Sequence, residues 1–523
     1  MRIRFAATAL ALAANLLAQQ PAKTVRVFLL AGQSNMEGHG VADLDDPRDY
    51  NGGRGNLRTF LATAAGRAEF ADLAATDGRW PERDDVFVTY LTMHGERKVG
   101  PLSVGFGAYQ GKHHLGPELG IGRVLGDRFD EPVLLVKTAW GGKSLAVDFR
   151  PPSAEGETGP FYVQMLAEYR GALAALATDH PKLAGYAPRL EGVVWFQGWN
   201  DACDRAATAS YDRNLPLLIA DLRTEFADAS LPFVVGETGN WDGAEFRLAQ
   251  LRGTRAPAIA ANTRFVATRQ FLRPAEQSPN TTHGHHWYGN AESYLRAGDA
   301  MGRAMAGIHA ARTPPTIPEG EDPLRWQKEI DAMPEPAAVS RPIVFVGSSS
   351  IRLWKTLAAD MAPMPTINRG FGGSRIFDSI YWADRLIARF DPAAIVVFAG
   401  TNDIAGDTPR SADWVAARFD ELVARLRLLG CEAPLVYIAL TPTPSRKQHL
   451  AIVQEANRLI AERCAKDPRL TFVDTAKGMV TPEGQPDPRW FVGDMLHLNA
   501  DGYRHWTACI RPVLDHLFPS STK

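Results

Sequence analysis

Four short stretches in the C-terminal half gather residue types that suit acyl transfer. Ser349 stands in VGSSSIRLW, directly after an apolar run. A serine there holds its hydroxyl at the carboxyl end of a strand and at a helix N-terminus, where developing negative charge is favoured. The stretch NRGFGGSR (Asn368 to Arg375) follows, and Gly373 within it lets a backbone N–H approach a ligand closely. IVVFAGTND ends another apolar run with Gly400, Thr401, Asn402 and Asp403. An asparagine at a strand end aims a side-chain amide at an oxyanion. Near the C-terminus, Asp494 precedes His497 by three residues. That spacing lets the carboxylate fix the imidazole tautomer while the imidazole faces the serine.

The N-terminal half carries the same pieces in the same order. VFLLAGQSNMEGHG places Ser34 as Ser349 is placed, and VKTAWGGKSL places Gly142 as Gly373 is placed. Lys137, five residues before Gly142, falls where Asn368 falls. VVWFQGWND sets Gly198, Asn200 and Asp201 against Gly400, Asn402 and Asp403. The run THGHHWYGNAESY, from Thr282, stands where DMLHLNADGY stands, which makes His286 the expected base and His285 the second choice. Three residues before His286 is His283, not an aspartate. Either a carboxylate comes from elsewhere, with Glu237 and Asp242 as candidates, or the site works as a dyad, or this half binds without cleaving.

The C-terminal set resembles the SGNH, or GDSL-type, hydrolase superfamily over roughly Leu324 to Phe518. That resemblance implies Ser349 as nucleophile, Gly373 and Asn402 as oxyanion donors, and His497 with Asp494 as base and partner. One departure is Ser348, where the family usually has aspartate. The N-terminal set is similar to the sialate O-acetylesterase and related carbohydrate acetylesterase families over about Thr24 to Ala311. There the implied roles fall on Ser34 as nucleophile, Gly142 and Asn200 as oxyanion donors, and His286 as base.

These pieces need strands to hold them. TVRVFLL (24–30) and RPIVFV (341–346) each lead into a serine turn, and further apolar runs occupy 133–136, 193–196, 233–235, 395–398 and 435–440. Helical patterns at 116–125, 211–226 and 414–429 lie between them. Continuous apolar strands alternating with helices predict parallel sheets covered on both faces. The expected architecture is two three-layer α/β/α domains of flavodoxin-like type, over residues 24–311 and 343–520. A proline-rich linker (312–342) contains a short helix at Leu324–Met333 that packs on the second domain. Residues 40–130 read as a long insertion with no clear period before Gly116.

The chain has 523 residues, enough for two such domains, with a formal net charge of −2. That balance gives no electrostatic footprint for nucleic acid or an anionic membrane. Arg2 and Arg4 precede the apolar stretch Phe5 to Leu17 and the small residue Ala18. Residues 1–18 therefore read as a signal peptide, with a secreted or periplasmic destination and no membrane anchor. Four cysteines (Cys203, Cys431, Cys464, Cys509) are too few for a disulfide scaffold but compatible with one or two bridges. The histidines at 113, 114, 283, 285 and 286 lack the spacing of a zinc site, and the proposed chemistry requires neither metal nor cofactor. Trp140, Trp199, Trp287 and Tyr288, with Trp490 and Phe491 in the second half, suit the apolar faces of sugar rings. The expected activity is removal of acyl, chiefly acetyl, groups from an acylated carbohydrate. The alternative is a lipid or aryl esterase with an inert carbohydrate-binding first domain.

Overall fold

The computed structural model describes residues 23–238 and 243–519; the leader-like residues 1–18 and Asp242 lie outside them. The first sheet contains β1 (Thr24–Gly32), β2 (Val86–Leu91), β3 (Arg97–Pro101), β4 (Val133–Ala139), β5 (Ala187–Phe196), β6 (Phe233–Gly236) and β7 (Thr263–Val266). Its order is β3-β2-β4-β1-β5-β6-β7, parallel except for the β2–β3 pair. The second sheet contains β8 (Ile343–Gly347), β9 (Thr366–Gly370), β10 (Ala394–Phe398), β11 (Leu435–Ile438) and β12 (Leu470–Val473), all parallel, in the order β9-β8-β10-β11-β12. Without the β2–β3 edge, both sheets have the flavodoxin-like order, in which the first strand sits between the second and third. The insertion read as patternless supplies that edge. β2 (VFVTYL) is buried along most of its length and pairs with β4, so its apolar run lacks the alternation that marks a half-exposed strand.

The strands divide their side chains between two faces with period two. Val25, Val27 and Leu29 of β1 pack under α2 (Pro160–Ala174) and α3 (Arg205–Glu225). Phe28 and Leu30 pack under α1 (Glu118–Arg128) and α4 (Ala291–Ala311). In β8, Ile343 and Phe345 face α8 (Ala500–Leu517), while Val344 and Val346 face α6 (Ala412–Leu428) and α7 (Leu450–Cys464). Each such buried Val, Leu or Ile contributes about 1.5–3 kcal/mol relative to exposure. The four cysteines are free thiols.

Each lead strand ends in a glycine pressed against its neighbour. A Cβ added at Gly32 would sit 2.3 Å from the Phe196 carbonyl oxygen, and one at Gly347 would sit 2.0 Å from that of Phe398. Only glycine permits the approach, and the chain then turns into a four-residue helical segment, Ser34–Glu37 or Ser349–Arg352. These segments are a single turn. They offer the free N–H groups of a helix start, and too short a run of peptide units for the dipole of a long helix.

The linker is fastened to the second domain. Its short helix, α5 (Gln327–Asp331), follows a 3-10 turn at Pro323–Trp326. Trp326 Nε1 donates to Asp378 (2.9 Å), Trp382 Nε1 donates to the Pro323 carbonyl (2.9 Å), and Glu321 pairs with Arg375 and Arg410. The domains also touch directly. Ala267 N–H donates to Asp391 (2.9 Å), Arg264 pairs with Asp384, and Gly307 of α4 lies against the Leu429 backbone.

Candidate active sites

At the carboxyl end of the second sheet, Ser349, His497 and Asp494 form a hydrogen-bonded chain. The Ser349 hydroxyl lies 2.9 Å from His497 Nε2, and His497 Nδ1 lies 2.6 Å from Asp494 Oδ2. Asp494 Oδ1 accepts the backbone N–H groups of Leu496 and His497, each at 2.9 Å. Those backbone bonds first, and the imidazole second, hold the carboxyl down at about 2. An ionised carboxylate fixes the proton on Nδ1 and leaves Nε2 free to accept from the serine. Met495 turns through a left-handed conformation (φ 57°) between them, and its carbonyl accepts from Ser445 N–H. That contact ties the histidine loop to the segment after β11.

Gly373, in the loop after β9, adopts φ 73°, a conformation that favours glycine. Asn402, after β10, donates its Nδ2 to the Ser374 carbonyl (2.9 Å) and accepts on Oδ1 from Arg446 (3.1 Å). Arg446 also donates to the Thr401 carbonyl (2.9 Å), so the guanidinium fixes which face of the amide carries its N–H groups. Asp403, beside Asn402, accepts the Ile376 N–H (3.1 Å) at the base of the same loop, and burial pushes its carboxyl up to about 8. Arg446 escapes a reading of motifs because it lies 44 residues from Asn402, outside every stretch that carries chemistry.

The first domain repeats the glycine-loop and asparagine arrangement with different partners. Gly142 has φ 74°, and Asn200 Nδ2 donates to the Gly142 carbonyl (2.9 Å). Asn200 Oδ1 is held by Gln33 Nε2 (3.2 Å), whose Oε1 accepts the Gly198 N–H (2.9 Å). Asp201, the counterpart of Asp403, accepts the N–H groups of Leu145 and Ala146, both at 2.9 Å. At the sequence position where the second domain has the neutral, exposed Asn368, Lys137 is fully buried. It donates to Glu118 (2.7 Å) and to the Glu37 and Phe106 carbonyls. Burial raises the Glu37 carboxyl, and Tyr90 donates to it at 3.1 Å.

The base side differs. Among the described residues, Ser34 has no hydrogen bond to a histidine. His286 instead stacks on buried His39, with ring centroids 3.8 Å apart. Burial, then the neighbouring His285 and His283, push it down to about 3. His285 is more open, with its ring 5.6 Å from that of Trp199, and burial lowers it too. Its carbonyl accepts from Asn35 Nδ2 (3.1 Å), which ties the histidine run to the serine turn. Glu237 does not supply the missing carboxylate: it is buried against Arg247 (3.4 Å) and the Arg269 N–H (3.0 Å). The aromatics also divide. Trp140, Trp287 and Phe491 are core residues, and Trp287 packs on Phe196, whereas Trp199, Tyr288 and Trp490 are partly exposed. Lys143 is paired with Asp148 and Arg375 with Glu321. Among the described residues, no three His, Cys, Asp or Glu side chains are grouped as metal ligands.

Residues 24–306, more than half of the chain, match the family model described as carbohydrate esterase, sialic acid-specific acetylesterase. Residues 345–505 match the GDSL-like lipase/acylhydrolase family. No curated protein matches the chain in sequence. Among solved structures, a carbohydrate acetylesterase from Xanthomonas citri is 17% identical, covering 54% of this chain and 56% of its own, with a TM-score of 0.32. A protein from Arabidopsis thaliana is 17% identical over 53% of this chain and 99% of its own (TM-score 0.32). A GDSL-like lipase from Bacteroides thetaiotaomicron is 22% identical over 37% and 98% (TM-score 0.32).

Proposed function

Because the chain belongs to the carbohydrate esterase family of sialic acid-specific acetylesterases and carries a GDSL-like acylhydrolase unit behind it, it is a carboxylic ester hydrolase, and we propose that it removes acetyl groups from carbohydrates at two serine sites, one per domain. The observation that carries the reading is the continuous Ser349–His497–Asp494 chain at 2.9 and 2.6 Å.

In the second domain, Ser349 attacks the ester carbonyl as its proton passes to His497 Nε2, and Asp494 stabilises the imidazolium. The Gly373 N–H and the Asn402 amide receive the tetrahedral oxyanion. His497 returns the proton to the leaving sugar hydroxyl, and water then releases acetate by the same route. A small cleft beside Ser349 is lined by Asn402, Thr441, Thr443 and Arg446 as well as His497.

In the first domain, Ser34 is the nucleophile and Gly142 and Asn200 take the oxyanion. The base comes from the run 283–286, where His286 and His285 remain the two choices. An efficient base titrates near the working pH, so the low value at His286 favours His285. Export rests on the basic and apolar sequence of residues 1–18; N-terminal sequencing of protein recovered outside the cytoplasm tests it.

The deciding experiment measures acetate released from acetylated polysaccharides and acetyl-sialate by the Ser34→Ala, Ser349→Ala and double variants. Loss of all release in the double variant supports the reading. Undiminished release by it overturns both nucleophile assignments.

A further inference from the structure

Beside Ser349, two small cavities share Thr401, Thr441, Thr443 and Arg446 as walls. Their lining is polar and unsatisfied. Thr401, Thr441 and Thr443 are 7%, 3% and 4% exposed, yet each hydroxyl is buried without a hydrogen-bond partner. The same holds for His449 Nε2, in a side chain that lines the inner cavity. A buried hydroxyl left unpaired costs about 1–3 kcal/mol, so such a group in a site cleft marks a place where a ligand group completes the bonding.

Arg446 states the sign of that ligand. Its guanidinium has five N–H groups. Two of the acceptors it reaches are the Thr401 carbonyl and Asn402 Oδ1, both neutral. Among the described residues no carboxylate lies within ion-pair distance of it, whereas Arg325, Arg375 and Arg410 around the same domain's linker are paired with Asp378 or Glu321. A half-buried guanidinium with neutral partners gains most from a carboxylate, which it binds with charge-assisted hydrogen bonds.

We propose that the second site selects esters whose substrate carries a carboxylate beside the scissile bond, bound by Arg446 with the Thr441 and Thr443 hydroxyls donating to it. The inference rests on the reading of Ser349 as nucleophile. It goes further in naming an acidic substrate class and in making Arg446 both the specificity determinant and, through Asn402 Oδ1, a positioning residue for the oxyanion amide.

The full-length Ser34→Ala protein isolates the second site. Two matched pairs are compared by kcat/KM. 4-Nitrophenyl hydrogen succinate against 4-nitrophenyl butyrate places the carboxylate on the acyl side, and acetylated glucuronate against acetylated glucose places it on the alcohol side. The acidic member of one pair should be preferred by about 10-fold or more. Arg446→Met should erase that ratio and also lower kcat on the neutral ester, because Asn402 loses its anchor. Arg446→Lys should keep part of the ratio, and Thr443→Val should reduce it several-fold. Thermal unfolding checks that each variant is folded. Titration of the Ser349→Ala protein with succinate and glucuronate separates binding from chemistry. Binding that disappears on adding Arg446→Met supports the acidic subsite even where no turnover is found, in which case only the nucleophile assignment fails. Equal turnover of both members in both pairs, a preference that survives Arg446→Met, or carboxylate binding indifferent to that substitution overturns the proposal.

Discussion

In the first domain the strand-end asparagine Asn200 gives its amide oxygen to Gln33, a neutral neighbour of the candidate nucleophile. In the second domain Asn402 gives its own to Arg446, a cation brought from the loop after β11. Both amides turn the same way, each donating to a carbonyl of the glycine loop at 2.9 Å. The oxyanion side of the two sites is thus held to one geometry by different means. The base side is not: His497 is bonded to both its neighbours, while in the first site His286 stacks on His39 and lies tilted against His285. In the proposed mechanism the amide has one job, set by the position of a developing charge. A base that binding energy can bring into line has more freedom.

The largest effect that would break this pairing is loss of the nucleophiles. In a Ser34→Ala background, Ser349→Ala should lower small-ester turnover by about 10⁴-fold or more, read by 4-nitrophenyl acetate hydrolysis. In the intact protein, Ser34→Ala should remove the larger share of action on the natural glycan ester, leaving what Ser349 carries, while sparing most small-ester turnover. Glycan deacetylation unchanged by Ser34→Ala would make the first domain a binding module and end the comparison.

The supports beneath the two serine turns should differ next. Lys137→Met leaves Glu118 buried and uncompensated, which costs about 3–5 kcal/mol. Asn368, which is exposed, donates to the Ile351 carbonyl and accepts the Gly370 N–H, and Asn368→Ala should cost only about 0.5–1.5 kcal/mol. Thermal unfolding followed separately for each domain measures both, and equal losses would show that the buried charge pair is no special support.

Asn200→Ala and Asn402→Ala test the shared half. Each should reduce kcat at its own site by about 10²–10³-fold, assayed in the background lacking the other serine. A large loss at one site only would contradict equivalent oxyanion sides.

The smallest effect is a displacement in pH. A base must be neutral, and burial lowers the pKa of His285 and sets His286 at about 3. The acid limb of the Ser349→Ala protein should therefore lie below the ordinary histidine value of about 6.5, and near pH 3 if His286 is the base. In the Ser34→Ala protein, the orienting carboxylate stays ionised until about pH 2, so Asp494 should not set the acid limb. Comparing His285→Ala with His286→Ala on the glycan ester identifies the base.

The serines, glycines and asparagines were legible because each needs a fixed residue type at a strand end, and strand ends show in the sequence as apolar runs that stop. The parallel sheets covered on both faces followed from the same runs, whereas the strand order did not, because apolar runs alone do not say which strands are neighbours. β7, β9 and β12 were harder, since four or five residues with a polar member carry no clear period. Arg446 and Gln33 were missed for a different reason: their work is to hold another side chain, and that depends on distance in space alone. The aromatic residues show the converse error. Trp140 and Trp287 adjoin the site in sequence but bury their rings in the core.

The linker's grip on the second domain bears on how such a fused protein comes apart. Trp326 lies against Gly373: a Cβ added there would meet its ring at 3.6 Å. The segment before β8 is therefore a wall of the second site, and not a passive tether. A protease cutting in the exposed stretch near Thr313–Pro318 would release a second domain that keeps this wall, whereas a cut after Asp331 would strip it away.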